Sequence, residues 1–127
     1  MKVALSSVMV DDQAKAEKFY TEVLGFVKHV DMPIGEFRWL TVVSPEGSAD
    51  FQLVLEPNAH PAAKVYQKAL FNDGIPATAF QSSDIHKEYE KLTQRGVVFR
   101  GKPTQAGPVT VVMFEDTCGN LIQLFQT

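Results

Sequence analysis

The chain is short of sulfur and of long apolar runs. Its single cysteine, Cys118, cannot form an intrachain disulfide or supply the thiolates of a structural zinc site, so sulfur chemistry does not hold this fold together. No apolar segment approaches the roughly 20 residues that cross a bilayer, and the N-terminus lacks the pattern of a secretory signal. The sequence therefore predicts a cytoplasmic protein with no membrane partner.

Excess charge of either sign is also lacking. The 127 residues carry a formal net charge of −3, and neither a nucleic-acid backbone nor an anionic membrane attracts a mildly acidic protein. We therefore expect no nucleic-acid partner. The length fits one globular domain and is too short for two ordinary ones, so we predict a single domain over residues 1–127.

The first half of the chain carries signals for strands and one helix. Residues 2–10 are rich in β-favouring side chains and predict a strand. A helix is predicted from Asp11 or Asp12, either of which can cap it, to Gly25, with apolar residues every three or four positions. Three further strands are predicted over residues 26–30, 37–43 and 51–55.

The second half repeats this order after a linker over residues 58–74, which contains a helix-compatible stretch at 62–71. A strand over 75–81 is followed by a helix that ends at Gly96 and starts after Ser82, Ser83 or Asp84. The last strands are predicted over 97–99, 109–114 and 121–125. Each half would form a curved sheet with a helix on its convex side. The sequence thus predicts an α+β fold of two βαβββ modules, residues 1–57 and 75–127, that form a paired, curved mixed sheet around a concave ligand pocket.

A turn followed by a glutamine also recurs. The turn at residues 44–47 leads into Phe51-Gln52-Leu53, and the turn at residues 116–119 leads into Ile122-Gln123-Leu124. Matching side chains on matching strands predict that Gln52 and Gln123 occupy equivalent positions in the two modules.

The chain resembles the vicinal oxygen chelate superfamily, the glyoxalase, bleomycin-resistance and extradiol-dioxygenase fold. Its opening, Asp12 through Phe19-Tyr20 to Leu24-Gly25-Phe26, is similar to the Asp…Phe-Tyr…Leu-Gly-Phe pattern of that superfamily. The segment from Asp116 to Gln123 is similar to the ending Asp-Pro-x-Gly-Asn…Glu, with threonine in place of proline and glutamine in place of glutamate. The resemblance covers nearly the whole length.

The resemblance implies where a metal would be bound. Metal-dependent members of the superfamily use four ligands, one from each inner strand, and the motifs place these positions at Leu5, Gln52, Ala77 and Gln123. Leucine and alanine have no donor atom, and two neutral amides are poor partners for a divalent transition ion. We therefore expect neither a metal nor another cofactor.

The expected ligand-binding residues lie on the inner strands. Buried amides must be hydrogen-bonded, so the two glutamines would serve either a ligand or one another. Alternation along each strand places further apolar residues beside them. The complete set is Leu5, Trp39, Gln52, Val54, Ala77, Ala79, Leu121, Gln123 and Phe125.

Three features stay open at this level. Either Trp39 or Arg38 faces the pocket, since neighbouring strand residues point in opposite directions. Glu56 is a candidate acid or base, or a strand-end residue in water. The loop over residues 101–108 is either a lid or a plain hairpin connection.

These features favour a metal-independent protein that binds a small organic molecule between its modules and forms a homodimer, as the bleomycin-resistance members do. One alternative is a metal-dependent lyase, isomerase or dioxygenase of the same superfamily. Another is a metal-free acid–base enzyme that uses Glu56.

Overall fold

The computed structural model describes residues 1–127 and divides them into two compact units, residues 1–64 and 65–127. None of its helices is both long enough and apolar enough to cross a lipid bilayer. The first unit contains β1 (Leu5–Val10), α1 (Gln13–Lys18), β2 (Val27–Ile34), β3 (Phe37–Val43) and β4 (Gln52–Pro57). The helix α2 (Pro61–Asn72) crosses the boundary between the units. The second unit continues with β5 (Thr78–Gln81), α3 (Ile85–Gln94), β6 (Thr104–Ala106), β7 (Val109–Glu115) and β8 (Leu121–Gln126).

The first sheet has the strand order β1-β4-β3-β2, in which only the β1–β4 pair is parallel. Asp12 caps α1 by accepting a hydrogen bond from the Lys15 amide at 3.0 Å, and a π-helical turn, Phe19–Val23, extends the helix toward Gly25. Gly25 has a φ of +89°, a conformation that favours glycine at the end of a helix. The helix and its π-helical turn contribute three fully or nearly buried side chains to the core, Ala16, Phe19 and Tyr20. The sheet contributes Val8, Val10, Leu40, Val42 and Leu55.

The second sheet repeats this arrangement in the order β5-β8-β7-β6, again with one parallel pair, β5–β8. Asp84 caps α3 by accepting from the Lys87 amide, and the apolar stripe of α3 buries Ile85 and Leu92. The α+β class and the two βαβββ modules predicted from the sequence are therefore confirmed.

The turn between β7 and β8 is held by a buried carboxylate. Asp116 is fully buried and accepts hydrogen bonds from the backbone amides of Cys118 and Asn120 at 2.8 and 2.9 Å and from the Asn120 side chain at 2.8 Å. The amide of Gln67, on α2, donates to the Cys118 carbonyl and to Asn120. The Asp-x-x-Gly-Asn motif thus forms a closed network that sets where β8 begins.

Two strand predictions are wrong in instructive ways. β2 runs to Ile34 rather than to residue 30, because it is an edge strand and tolerates Pro33, whose missing N–H would break an inner ladder. Residues 97–99 form no strand, although Phe99 makes one bridge to Phe114. Their apolar side chains are used in packing, since the Phe99 ring lies 4.6 Å from that of Tyr89 and 5.7 Å from that of Phe114.

The predicted loop over residues 101–108 contains the missing strand, β6, which forms a hairpin with β7. Gly107, at a φ of +62°, makes the tight turn between them. The segment is therefore a hairpin connection in structure.

Candidate functional site

The face of the first sheet that lies opposite α1, the helix-free face, gathers most of the candidate residues of the first module. Arg38 on β3 pairs with Glu17 on α1, so Arg38 and Leu40 face the helix and the residues between and after them, Trp39 and Thr41, point the opposite way. Thr41 pairs with Val54 on β4, which places Val54 and, by alternation, Gln52 and Glu56 on this same face. The structure thus resolves the open question about β3, since Trp39 and not Arg38 accompanies Gln52.

A short hydrogen-bond chain fixes Gln52. The hydroxyl of Thr41, which is fully buried, donates to the carbonyl oxygen of the Gln52 side chain at 2.7 Å and accepts from the Val30 amide at 3.1 Å. The side-chain oxygen of Gln52 is therefore bound within the protein. Its amide nitrogen has no such bond and keeps two N–H groups for a ligand acceptor.

The amide of Gln13 replaces part of the ladder between β3 and β4. The register between these strands covers only Thr41–Val54 and Val42–Leu53. Beyond it, the Gln13 side chain donates to the carbonyls of Arg38 and Leu55 at 2.7 and 2.9 Å and accepts from the Arg38 amide at 3.0 Å. A buried side chain, and not the neighbouring strand, thus satisfies the backbone next to Trp39 and Glu56.

Glu56 lies on the helix-free face, partly buried, and accepts a hydrogen bond from the Ser7 hydroxyl at 3.1 Å. Ser7 lies on the neighbouring strand β1, opposite Val54. Leu5, two residues earlier on β1, lies opposite Gln52 and is 41% exposed. The face therefore combines one carboxylate and one amide with an apolar surround.

Arg38 lies on the other side of β3 and binds the protein's own carboxylates. Its guanidinium contacts Asp31 through two nitrogens at 2.9 and 2.7 Å and also pairs with Glu17 on α1, while Lys28 joins both carboxylates. Hydrogen bonding to Arg38 lowers the pKa of Asp31 to about 2 and lowers that of Glu17. The arginine is thus fully used within the network and takes no part in the helix-free face.

The second sheet has an equivalent helix-free face, on which the residues around Gln123 are apolar. Ala79 lies directly opposite Gln123, and Met113 lies on the other side of Gln123. Leu121 and Phe125, two residues before and after Gln123, share its face by alternation. Ala77 joins them at the edge, where its amide donates to the carbonyl of Leu121 at 2.8 Å.

The two helix caps give a common origin for comparing the modules. Asp12 and Asp84 both accept a hydrogen bond from the backbone amide three residues further along. Ser7 and Ala79 each precede their cap by five residues, so they occupy equivalent positions on β1 and β5.

These equivalent positions have partners that differ in chemistry. Ser7 lies opposite Val54, and Ala79 lies opposite Gln123. Val54 is therefore the residue of the first module that corresponds to Gln123 in the second. Gln52 lies two residues before Val54 and does not correspond to Gln123. The prediction that the two glutamines are equivalent is wrong, because a turn-and-glutamine pattern does not fix the register between distant strands.

This register also decides how a metal would fit. The second of the four ligand positions implied by the resemblance moves from Gln52 to Val54, so the set becomes Leu5, Val54, Ala77 and Gln123. Only one of these four side chains has a donor atom, and a single neutral amide does not hold a divalent transition ion. Nor does any group of three histidine, cysteine, aspartate or glutamate side chains come together to hold one elsewhere. The residues present therefore do not fit the metal that many superfamily members bind.

Sequence reasoning missed the contributions of Gln13, Thr41 and Ser7. Thr41 follows Trp39 by two residues and shares its face by alternation, which is the one local signal that could have identified it. Gln13 follows the cap of α1 and looks like an ordinary first-turn residue, so no local signal predicts its bonds to residues 38 and 55.

Comparisons with known proteins agree with the fold. Residues 3–124 match the family model described as "Glyoxalase/Bleomycin resistance protein/Dioxygenase superfamily". The protein YurT of Bacillus subtilis (strain 168) is 54% identical over 126 residues, which cover 99% of each chain. The crystal structure of UcmS2 aligns with a TM-score of 0.85 at 30% identity, covering 98% of this chain and 97% of UcmS2.

A second similar structure has a stated binding activity. TnmS3, described as an antibiotic binding protein from Streptomyces sp. CB03234, aligns with a TM-score of 0.78 at 32% identity and covers 99% of this chain and 95% of its own. The motifs, the two βαβββ modules and the family match lead to one assignment. The chain belongs to the glyoxalase/bleomycin resistance protein/dioxygenase superfamily.

Proposed function

We propose that this chain is a metal-independent binding protein for a small organic molecule, which it holds on the helix-free faces of its sheets. The observation that carries the proposal is the donor set, in which three of the four metal positions are Leu5, Val54 and Ala77. These three side chains have no atom that can bind a metal and leave an apolar surface, and the fourth position supplies one amide. Such a surface suits an organic ligand better than a metal ion.

Two further observations support this proposal. Gln52 has its oxygen bound to Thr41 and its amide nitrogen available, which is the arrangement of a preset hydrogen-bond donor. The similarity to an antibiotic-binding protein, at 32% identity over nearly the whole of both chains, makes a comparable ligand class a reasonable starting point. Trp39 adds a flat apolar surface of the kind that stacks on planar molecules.

The test is a thermal-shift screen of metabolites and antibiotics on protein treated with a chelator. A ligand that binds the folded state raises the melting temperature by mass action, and chelation should leave that shift unchanged. Hits should be weakened by Gln52→Leu and Gln123→Leu but not by Gln94→Leu, which alters an exposed glutamine at the end of α3. Stoichiometric nickel, zinc or iron together with turnover of a superfamily substrate would contradict the proposal.

We also propose that the protein is a homodimer. The hairpin of β2 and β3 carries three large apolar side chains on the helix-free face that no part of the chain covers, Met32 at 56% exposure, Ile34 at 59% and Phe37 at 37%. β2 is the edge strand of its sheet, so the backbone N–H and C=O groups along its outer side have no neighbouring strand and favour pairing with a second copy of the chain. Analytical ultracentrifugation should show a dimer that Ile34→Asp dissociates. A monomer at all concentrations would rule the dimer out.

We propose a cytoplasmic location as well, because the chain has a single, buried cysteine and so no intrachain disulfide of the kind that oxidising compartments favour. Cell fractionation tests this location, and recovery of the protein outside the cytoplasmic fraction would contradict it.

A further inference from the structure

Glu56 differs from every other carboxylate that the fold partly buries. The others have a cation within 4.0 Å or receive backbone hydrogen bonds: Glu17 with Arg38 and Lys28, Asp84 with Lys87, Glu88 with Lys91, Glu115 with Arg100, and Asp116 with the amides of its turn. Glu56 has only the neutral hydroxyl of Ser7. Its carboxylate is partly exposed and has no cation of the protein beside it, so a cationic group of a ligand can reach it from solvent.

The surroundings of Glu56 show which kind of cation would complete it. Trp39 and Glu56 lie on the same face of the neighbouring strands β3 and β4, each two residues beyond their last pair, Thr41–Val54, where the Gln13 side chain bonds both strands. Neither arginine nor lysine stands on this face, since Arg38 and Lys28 point to the opposite side and bind Glu17 and Asp31. A carboxylate and an aromatic ring on one face of a sheet attract an organic cation, the first through its charge and the second through the face of its ring.

We propose that the ligand of this protein is a planar aromatic molecule with a positively charged nitrogen, whose cation binds Glu56 and whose ring lies against Trp39. This inference rests on the proposed function and names its ligand class. The amide nitrogen of Gln52, on the same face, adds a donor for an acceptor atom of the ligand. A metal ion does not meet these requirements, because one carboxylate and one amide are too few ligands.

The experiment uses three probes of nearly the same shape and different charge: benzamidinium, benzamide and benzoate. Trp39 is the only tryptophan, so its fluorescence and its single indole N–H signal in a ¹H–¹⁵N spectrum report directly on this face. We expect benzamidinium to bind about tenfold more tightly than benzamide, and benzoate to bind more weakly than either. Equal affinities, a preference for benzoate, or no binding of benzamidinium would overturn the inference.

A matched pair of variants assigns the charge preference to one residue. Glu56→Gln keeps the size of the side chain and its ability to contact Ser7, and it should reduce benzamidinium affinity to about that of benzamide. Glu46→Gln removes the same charge from an exposed turn at the far end of the same strands and should leave the preference intact. An unchanged preference in Glu56→Gln would refute the role of Glu56, and a melting curve establishes that this variant is folded.

The two proposals can fail separately. If the thermal-shift screen yields neutral ligands that Gln52→Leu and Gln123→Leu weaken, while benzamidinium does not bind, the binding function stands and the cationic ligand class is wrong. If Glu56→Gln reduces benzamidinium affinity to that of benzamide while Gln123→Leu has no effect on any hit, the ligand class stands and the second sheet has no role in binding.

Discussion

Gln13 offers a direct test of how the backbone next to the candidate site is supported. The variant Gln13→Met removes its hydrogen bonds to the carbonyls of Arg38 and Leu55 and from the Arg38 amide, which span 2.7 to 3.0 Å. Each such bond contributes about 1 kcal/mol net, so we expect the free energy of unfolding to fall by about 3 kcal/mol. Methionine keeps most of the side-chain volume, so a cavity adds little to this loss.

The assay is equilibrium unfolding in urea, followed by circular dichroism and by Trp39 emission. Gln94→Met, at an exposed position of α3, is the control and should change the free energy of unfolding by less than about 0.5 kcal/mol. A loss below about 1 kcal/mol in Gln13→Met would refute the claim that these strands depend on the amide. Because Trp39 adjoins Arg38, the folded variant should also show a shifted emission maximum and weaker ligand binding.

Two further predictions concern the rest of the fold. Gly119 and Gly101 have similar φ values, +101° and +105°, but a Cβ on Gly119 would lie 2.8 Å from the Gln67 amide nitrogen whereas one on Gly101 meets nothing within 4 Å. Gly119→Ala should therefore cost about 2 kcal/mol more than Gly101→Ala in urea unfolding, and equal costs would refute the contact. Hydrogen bonding from Arg38 lowers the pKa of Asp31 from its usual 3.8 to about 2. The stability that this pairing gives is present above pH 3.8 and is lost as the pH falls through about 2, so Asp31→Asn should flatten the acid limb of the stability curve; an unchanged limb would contradict it.

Local signals predicted the parts of the fold that local chemistry determines. Asp12 and Asp84 cap their helices, and Gly25 lies at positive φ just after the first, as their residue types indicate. The strand predicted over residues 37–43 is observed with the same bounds. These features depend on neighbours within a few residues, which the sequence displays directly.

The remaining features depend on residues far apart in the chain. The extent of β2 is set by its place at the sheet edge, and the absence of a strand at residues 97–99 is set by aromatic packing around Phe99. Gln13 acts on residues 38 and 55, so its own surroundings in sequence contain no trace of this role. The register between strands also depends on residues far apart in the chain. The two glutamines were wrongly predicted to be equivalent because a short turn-and-glutamine pattern does not determine that register.

The corrected register changes what the duplication means for binding. Counterpart positions on the two modules now carry Val54 and Gln123, so the halves share a backbone plan but present different side chains. The first helix-free face carries a carboxylate, Glu56, that no cation of the protein contacts, whereas the residues named on the second face are neutral. A metal site built from equivalent positions of the two modules would require donor atoms at each of them, and Val54 has none. The divergence between the two faces therefore argues against an ion held by equivalent ligands and agrees with the proposal that Glu56 and Trp39 on the first face bind an aromatic cation.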